Sequence, residues 1–207
     1  MAPSKAGEEQ GADAPGLAGA DAAALRAAMR GGVLFHRLLE RLPDIPMDQR
    51  REVASDWLAR NAEELPDAMC AQMLDQALDV LNAPGFAEIF GPDALAEAPI
   101  SATVGPVVVT GTIDRLLVTD DEVYVVDFKT TRRPPTSAES VSVGTLRQMA
   151  AYVAALEVIY PDRRVRAGVL YTQTPQLIEL SGSYLSAQKD QLGAKQESLG
   201  DVDPSAY

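Results

Sequence analysis

Two aspartates and a lysine are the residues of this sequence best suited to chemistry. Asp114 lies in the apolar segment 107–118, and Asp127 lies near the end of the apolar segment 122–128. Lys129 follows two positions after Asp127. Because burying an unpaired carboxylate is costly, acidic side chains on apolar strands are expected to have partners or a function. These residue types and their spacing predict a metal-dependent nuclease site.

The two apolar segments can pair as an antiparallel hairpin around a turn at Asp120-Asp121. Counting outward from that turn places Asp114 opposite Asp127, with Cβ atoms about 4.5–5.5 Å apart. Two carboxylates at that distance repel unless a cation lies between them. Oxygen ligands with open positions suit Mg²⁺ or Mn²⁺, and the Phe128 carbonyl can supply another ligand. Lys129 would point to the same side as Asp127, where it can stabilise charge developing on a phosphate.

The elements that must position these residues follow one another as helices, a β-meander, a helix and a strand pair. Periodicity predicts helices over 20–42, 47–60, 65–82 and 142–158. Alternation predicts strands over 99–104, 107–118, 122–128, 164–171 and 176–180. Gly31-Gly32 would break the first helix or kink it. This order is typical of an α/β or α+β domain with an N-terminal helical subdomain.

Composition divides the chain into four parts. Residues 1–18 are rich in Ala, Gly, Pro and Glu and predict a disordered lead-in or linker. Residues 19–95 form the predicted helical subdomain, and residues 96–180 form the predicted core that carries the two aspartates. Residues 181–207 are polar, with scattered Gly and Pro, and predict a tail that is ordered in part at most.

The charge of the chain is unfavourable for nucleic-acid binding in total but is unevenly distributed. The net charge is −12, whereas phosphate affinity comes largely from Lys and Arg. Residues 61–99 carry eight acidic residues and no Lys or Arg, while residues 100–170 carry eight residues of each sign. The acidity is therefore concentrated away from the predicted site.

Several classes of protein are excluded or disfavoured. Cys70 is the only cysteine, so this chain holds no internal disulfide and no four-cysteine zinc or iron–sulfur site. No apolar run approaches the roughly 18 residues that span a bilayer, and we expect no membrane association. The sequence has no G-x-x-x-x-G-K-[ST] loop, so no ATP site of that type is expected.

Three further patterns resemble the RecB-type nucleases of the PD-(D/E)xK superfamily. The GxxD motif of that family matches Gly111-Thr112-Ile113-Asp114-Arg115, and the (D/E)xK motif matches VVDFKT at 125–130. The QxxxY motif matches RQMAAY at 147–152. The segment 32–40 matches the upstream pattern GxxxHxxLE, with its histidine at His36. The resemblance covers about residues 30–180 and extends to the nuclease region of alphaproteobacterial AddA proteins, including Leu170-Tyr171-Thr172.

This resemblance implies a restriction-endonuclease-like α/β core, with a central mixed sheet flanked by helices. It implies that His36, Asp114 and Asp127, with the Phe128 carbonyl, bind Mg²⁺, for which Mn²⁺ can substitute. It also implies that Lys129 is catalytic and that two residues of the following helix, Gln148 and Tyr152, support the site or contact DNA. Relatives such as AddB carry four cysteines that hold an iron–sulfur cluster. This chain has only Cys70, which favours the AddA and RecB branch.

The same resemblance implies an activity and partners. Such enzymes hydrolyse phosphodiester bonds of DNA in the bacterial cytoplasm, and AddA works with AddB in a helicase–nuclease that processes double-strand breaks. We therefore expect single-stranded or unwound DNA ends as substrate and an AddB-like subunit as a partner. AddA proteins begin with a large helicase, so we expect this chain to be either a fragment of a longer protein or a freestanding relative.

The candidate residues also have other interpretations. Asp114 could cap a turn, Asp127 and Lys129 could form a structural ion pair, and an exposed helix face could explain Gln148 and Tyr152. Arg132, Arg133 and Arg147 either contact phosphates or keep the surface soluble. Glu97 is a candidate additional acidic residue from the preceding strand, and Glu40 would support the helix of His36. The whole domain could also be a binding module that does not cut, an alternative favoured by the net charge.

Overall fold

A five-stranded mixed sheet forms the centre of the computed structural model, which describes residues 22–131 and 133–197. The strands are β1 (Ala94–Val104), β2 (Val107–Val118), β3 (Glu122–Lys129), β4 (Arg164–Tyr171) and β5 (Gln176–Leu180). The helices in the described ranges are α1 (Ala22–Arg41), α2 (Arg50–Asn61), α3 (Asp67–Asn82), α4 (Val143–Ile159) and α5 (Gly182–Glu197). The predicted α/β fold, with a mixed sheet, flanking helices and helices at the N-terminal end, is confirmed.

Strand order in the sheet follows the sequence, β1-β2-β3-β4-β5. The first three strands form an antiparallel meander, and β4 and β5 pair as a second antiparallel hairpin. β3 and β4 are parallel, and a parallel pair needs a long crossover connection, which α4 provides. The end of β3 and α4, which carry most of the predicted site, are therefore neighbours along the chain and in space.

The two faces of the sheet are covered by different helices. Residues of α1, α2 and α3 pack on one face against Tyr124, Val126 and Phe128 of β3. Residues of α4 and α5 pack on the other face against Val123 and Val125. Because side chains alternate along a strand, Asp127 and Lys129 belong to the face that α4 covers.

The first helix is continuous across Gly31-Gly32, so a helix boundary at this place, one of the two predicted possibilities, is wrong. A Cβ added at Gly31 would lie 2.7 Å from Cε of Met69, a residue of α3. The contact is with the tip of a flexible side chain of α3, and glycine at this position leaves room for it beside α1. The helix ends at Arg41 and is followed by a short 3₁₀ turn at Leu42–Asp44 that contains Pro43.

The structure also differs from the sequence prediction at two other places. β1 begins at Ala94, five residues before the predicted strand. The predicted polar tail begins with a helix, α5, whose Leu185 is buried against the α4 side of the sheet. Residues 1–18, predicted to be disordered, lie outside the described residues. No helix within the described ranges is long and apolar enough to cross a membrane.

Candidate active site

One group of possible metal ligands lies where α1, β1 and β2 meet. His36 of α1, Glu97 of β1 and Asp114 of β2 each place one ligand atom within 4.8 Å of the other two, and no other such group occurs among the described residues. His36 Nδ1 lies 3.2 Å from Asp114 Oδ1. All three side chains are partly exposed, so an ion and a substrate can reach them. We call His36, Glu97 and Asp114 the open half-site.

Glu97 joins this half-site from a strained backbone position. The pairing of Ala96 with Arg115 and of Ala98 with Ile113 places it opposite Asp114 on the neighbouring strand. Its φ is 48°, and it is the only non-glycine residue in the described ranges with a positive φ. Such conformations cost about 1–3 kcal/mol and often mark functional sites. The interpretation of Glu97 as an additional acidic residue of the site therefore gains support.

Asp114 is held in place from two sides. The Phe128 amide donates a hydrogen bond of 2.6 Å to Asp114 Oδ2, while Oδ1 faces His36. The last recorded pair between β2 and β3 is Arg115 with Val126, so continuing this register places Asp114 opposite Asp127, as the hairpin predicted. The alternative role of Asp114 as a turn cap does not agree with its position inside β2.

A second cluster lies behind this hairpin, between β3 and α4. Lys129 Nζ lies 2.8 Å from Asp127 Oδ2 and donates a hydrogen bond of 2.7 Å to Gln148 Oε1. Gln148 Nε2 donates in turn to Asp127 Oδ1 at 2.8 Å. We call Asp127, Lys129 and Gln148 the buried half-site, because only the lysine side chain is more than slightly exposed.

The side chains of Gln148 and Tyr152 are inside the protein, so their interpretation as an exposed helix face is wrong. Gln148 is 4% exposed and Tyr152 is fully buried. The Tyr152 hydroxyl donates to the Thr112 carbonyl at 2.7 Å and lies 3.5 Å from Gln148 Nε2. α4 is thus fixed to β2 one turn after Gln148, which orients the amide that contacts Lys129.

The charge of Asp114 contributes to a raised pKa in both half-sites. Burial is the largest cause of the raised pKa of Asp127, and the charge of Asp114 adds to it, although Lys129 opposes the shift. Burial also raises the pKa of Glu97, again with a contribution from Asp114. Burial lowers the pKa of His36, but the hydrogen bond and charge of Asp114 outweigh it and the net pKa is raised. A bound cation would relieve the repulsion among the carboxylates.

The donor atoms fit a divalent metal ion. Carboxylate oxygens suit Mg²⁺ and Mn²⁺, and an imidazole nitrogen is a ligand for transition metals. Apart from its ion pair with Lys129, the buried Asp127 Oδ2 accepts no hydrogen bond from the described part of the chain. That oxygen can therefore face a cation. Asp127 is not a member of the open half-site, so its predicted service as a ligand together with His36, Asp114 and the Phe128 carbonyl stays a prediction.

The three arginines predicted to contact DNA are placed differently. Arg133 is exposed on the loop after β3, and Arg132 lies outside the described residues. Arg147 is exposed next to the buried Gln148, but its Nε donates to Gln188 of α5 at 3.3 Å. Its side chain therefore projects toward α5 and not into the buried half-site.

Two residues that support the site were missed as such by the sequence analysis. Arg115 is buried and donates to the Leu39 carbonyl at 2.6 Å, so it fixes the helix of His36 to the sheet next to Asp114. Thr172 follows β4 and donates from its backbone amide to the Lys129 carbonyl at 3.0 Å. Arg115 stood within the GxxD pattern, but nothing in the sequence showed that its guanidinium is buried.

Comparison with known proteins identifies the superfamily of the chain. A sequence model of the PD-(D/E)XK nuclease superfamily matches residues 12–201. No curated protein matches the chain. The crystal structure of SSO0001 is similar to this chain at a TM-score of 0.34 and 13% identity, covering 81% of this chain and 84% of that one. The match to the superfamily spans most of the chain and includes both half-sites, and the chain belongs to the PD-(D/E)XK nuclease superfamily.

Proposed function

We propose that this chain is a Mg²⁺-dependent deoxyribonuclease domain of the RecB and AddA type, with Mn²⁺ able to replace Mg²⁺. The observation that carries the proposal is that a histidine–carboxylate group and a lysine–carboxylate group adjoin across the β2–β3 hairpin. The superfamily match supports nuclease chemistry in general. The RecB and AddA type rests on the motifs around His36, Asp114, Lys129 and Gln148.

In this proposal the ion is held by residues of both half-sites, and the lysine of the buried half-site acts on the phosphate. His36, Asp114 and Asp127, with the Phe128 carbonyl, would hold the ion, and Glu97 would add an oxygen ligand. A bound divalent ion lowers the pKa of its water and polarises phosphoryl oxygens. The protein side chains would place the scissile phosphate against this group of ligands.

Lys129 is the residue positioned to act on the phosphate. Its ammonium contacts both Asp127 and Gln148, so its position is fixed before substrate binds. A preorganised positive charge in a partly buried site stabilises the negative charge that develops in phosphoryl transfer. Gln148 and Tyr152 act by holding this lysine and its helix.

The proposed substrate is DNA with single-stranded or unwound ends, processed during double-strand break repair and recombination in the bacterial cytoplasm. An AddB-like subunit and a helicase region outside this chain would deliver the strand. Arg133 is exposed after β3 and is available for phosphate contacts, and Arg132 and Arg147 remain further candidates. Apart from Glu97 of the open half-site, the acidic residues of segment 61–99 lie on α3 and in the loops beside it. Residues 100–170, which include β3 and α4, carry eight residues of each sign.

Cleavage of a labelled single-stranded DNA in Mg²⁺ tests the proposal. Asp127→Ala should abolish cleavage, whereas Asp120→Ala, a matched change in the exposed turn of the hairpin, should not. Equal cleavage by the wild type and Asp127→Ala would contradict the assignment of the site. Both variants should be checked for folding by circular dichroism.

The alternative is a nuclease fold that binds a partner and does not cut. The observation that favours it is the net charge of −12, which weakens attraction to DNA. Calorimetry with Mn²⁺ separates the two functions, because a nuclease needs the ion and a binding module does not. Absence of Mn²⁺ binding by the wild-type protein would favour the module.

A further inference from the structure

The hydroxyl groups of the buried tyrosines differ in whether the fold provides a partner. Tyr124 donates to Glu179 at 2.6 Å, and Tyr152 donates to the Thr112 carbonyl. Tyr171 is only 3% exposed, yet its hydroxyl has no hydrogen-bond partner among the residues that the structure describes. The buried side-chain atoms without a partner in the described part of the chain are Arg115 Nε and Asp127 Oδ2, so the Tyr171 oxygen is not sealed from solvent. A ligand that enters the site can therefore reach this hydroxyl.

Tyr171 lies beside the buried half-site. It is the last residue of β4 and pairs in register with Lys129 of the parallel strand β3. Paired positions of neighbouring strands share a face of the sheet, and Tyr171 packs with Met149 and Tyr152 on the face that α4 covers. The phenol therefore belongs to the same face as Asp127 and Lys129.

The chemistry of the phenol suits an anionic ligand. Burial, with a further contribution from the charge of Asp127, raises the pKa of Tyr171 to about 12. The hydroxyl is therefore protonated at neutral pH and can donate a hydrogen bond. A phosphate oxygen is a strong acceptor for such a donor. The ammonium of Lys129 acts as a point charge, whereas the phenol donates a directional hydrogen bond and adds no charge.

We propose that the Tyr171 hydroxyl is a substrate-contacting group that donates a hydrogen bond to a phosphate oxygen of the DNA strand bound at the buried half-site. This inference rests on the proposed function, because it assumes that the ligand of the site is a DNA phosphate. The contact would orient the phosphate relative to Lys129, whose backbone is held to the same region by Thr172.

Tyr171→Phe in the full chain removes a single oxygen and tests the contact. Cleavage of a single-stranded oligonucleotide of about 20 nucleotides in Mg²⁺ should lose about tenfold to a hundredfold in kcat/KM, the range for a hydrogen bond to a charged group. The thermal midpoint should not fall, because the oxygen has no partner in the described fold. Tyr124→Phe is the matched control on the opposite face of the sheet, and it should keep its cleavage rate and lose stability.

A binding measurement separates failure of this inference from failure of the proposed function. The affinity of wild type and Tyr171→Phe for the same labelled oligonucleotide would be measured with Ca²⁺ replacing Mg²⁺. If the wild type cleaves and Asp127→Ala does not, equal cleavage by Tyr171→Phe overturns the tyrosine contact alone. If the wild type does not cleave, the nuclease proposal fails, while weaker binding by Tyr171→Phe still supports the contact and equal binding overturns it.

Discussion

The open and the buried half-site are constructed in different ways. The open half-site takes one residue from each of α1, β1 and β2 and leaves all three partly exposed. The buried half-site comes from β3 and α4, which follow each other in the chain, and its amide and carboxylate are almost fully enclosed. The first arrangement leaves room for an ion to enter from solvent, whereas the second fixes a charge in one position.

This difference predicts different consequences of substitution. Removing one partner of a buried ion pair leaves an uncompensated charge, which is strongly unfavourable. Removing one ligand from a partly exposed group leaves the others solvated. Changes in the buried half-site should therefore affect catalysis and stability together, and changes in the open half-site should affect mainly the affinity for metal.

Among substitutions that keep every proposed metal ligand, the largest effect is expected for Lys129→Met. The variant loses the ammonium that would stabilise the phosphate, so the cleavage rate should fall by about 10²–10³-fold in Mg²⁺. Mn²⁺ binding by calorimetry should persist, because Lys129 is not a ligand. Lys189→Met, which breaks an ion pair with Glu157 between α5 and α4, provides the control. Normal cleavage by Lys129→Met would remove the catalytic role of the buried half-site.

For His36→Ala we expect a clear loss of metal affinity and little loss of stability. Loss of the only imidazole should weaken Mn²⁺ binding by at least about tenfold, measured by calorimetry, with little change in thermal midpoint. Arg37→Ala is the matched neighbour, since its exposed side chain contacts Glu40. Unchanged Mn²⁺ affinity in His36→Ala would show that the open half-site does not hold the ion.

Two adjacent residues of α4, the buried Gln148 and the exposed Arg147, allow a direct comparison of substitutions at an enclosed and an exposed position. Gln148→Ala would leave polar atoms of Asp127 and Lys129 without a hydrogen-bond partner, which should lower the free energy of unfolding by about 1–3 kcal/mol. It should also lower kcat about tenfold. Arg147→Ala should change that free energy by less than about 0.5 kcal/mol. Urea unfolding and steady-state kinetics measure both. A raised KM for Arg147→Ala, strongest at low salt, would add a DNA contact at Arg147.

The smallest effect is expected outside both half-sites, at Glu139. Hydrogen bonds from Ser137 and Tyr184 lower its pKa from 4.5 to about 2. A lowered carboxyl pKa stabilises the fold above the unfolded pKa, and this contribution is lost as the pH falls through the folded pKa. Glu139→Gln should slightly lower the thermal midpoint at neutral pH, with the difference vanishing from about pH 4.5 toward pH 2. Cleavage at neutral pH should not change.

The part of the site that could be predicted is the part that depends on local geometry. The turn at Asp120-Asp121 fixed the register, so counting along the hairpin placed Asp114 across from Asp127. Strand alternation then placed Lys129 on the same face. The sequence pattern alone identified Gln148, but it could not distinguish a buried amide from an exposed one, because that depends on how α4 lies on the sheet.

The rest depends on contacts between distant segments. α1 continues through Gly31, where the Met69 side chain of α3 packs, and helix propensity does not describe this contact. The positive φ of Glu97 has no sequence signal, since residues other than glycine rarely adopt it. α5 was missed because few apolar residues mark it, although Leu185 anchors it in the core.

The distance along the chain between His36 and Asp114, 78 residues, has a consequence for the order of folding. The β2–β3 hairpin is local and can form within microseconds, whereas α1 reaches it only by closing a long loop, which is slower. The aspartates can therefore meet before the histidine arrives. A metal ion that needs all three residues would bind the fully folded chain in preference to earlier states. Its binding would therefore stabilise the native structure only after the chain has folded.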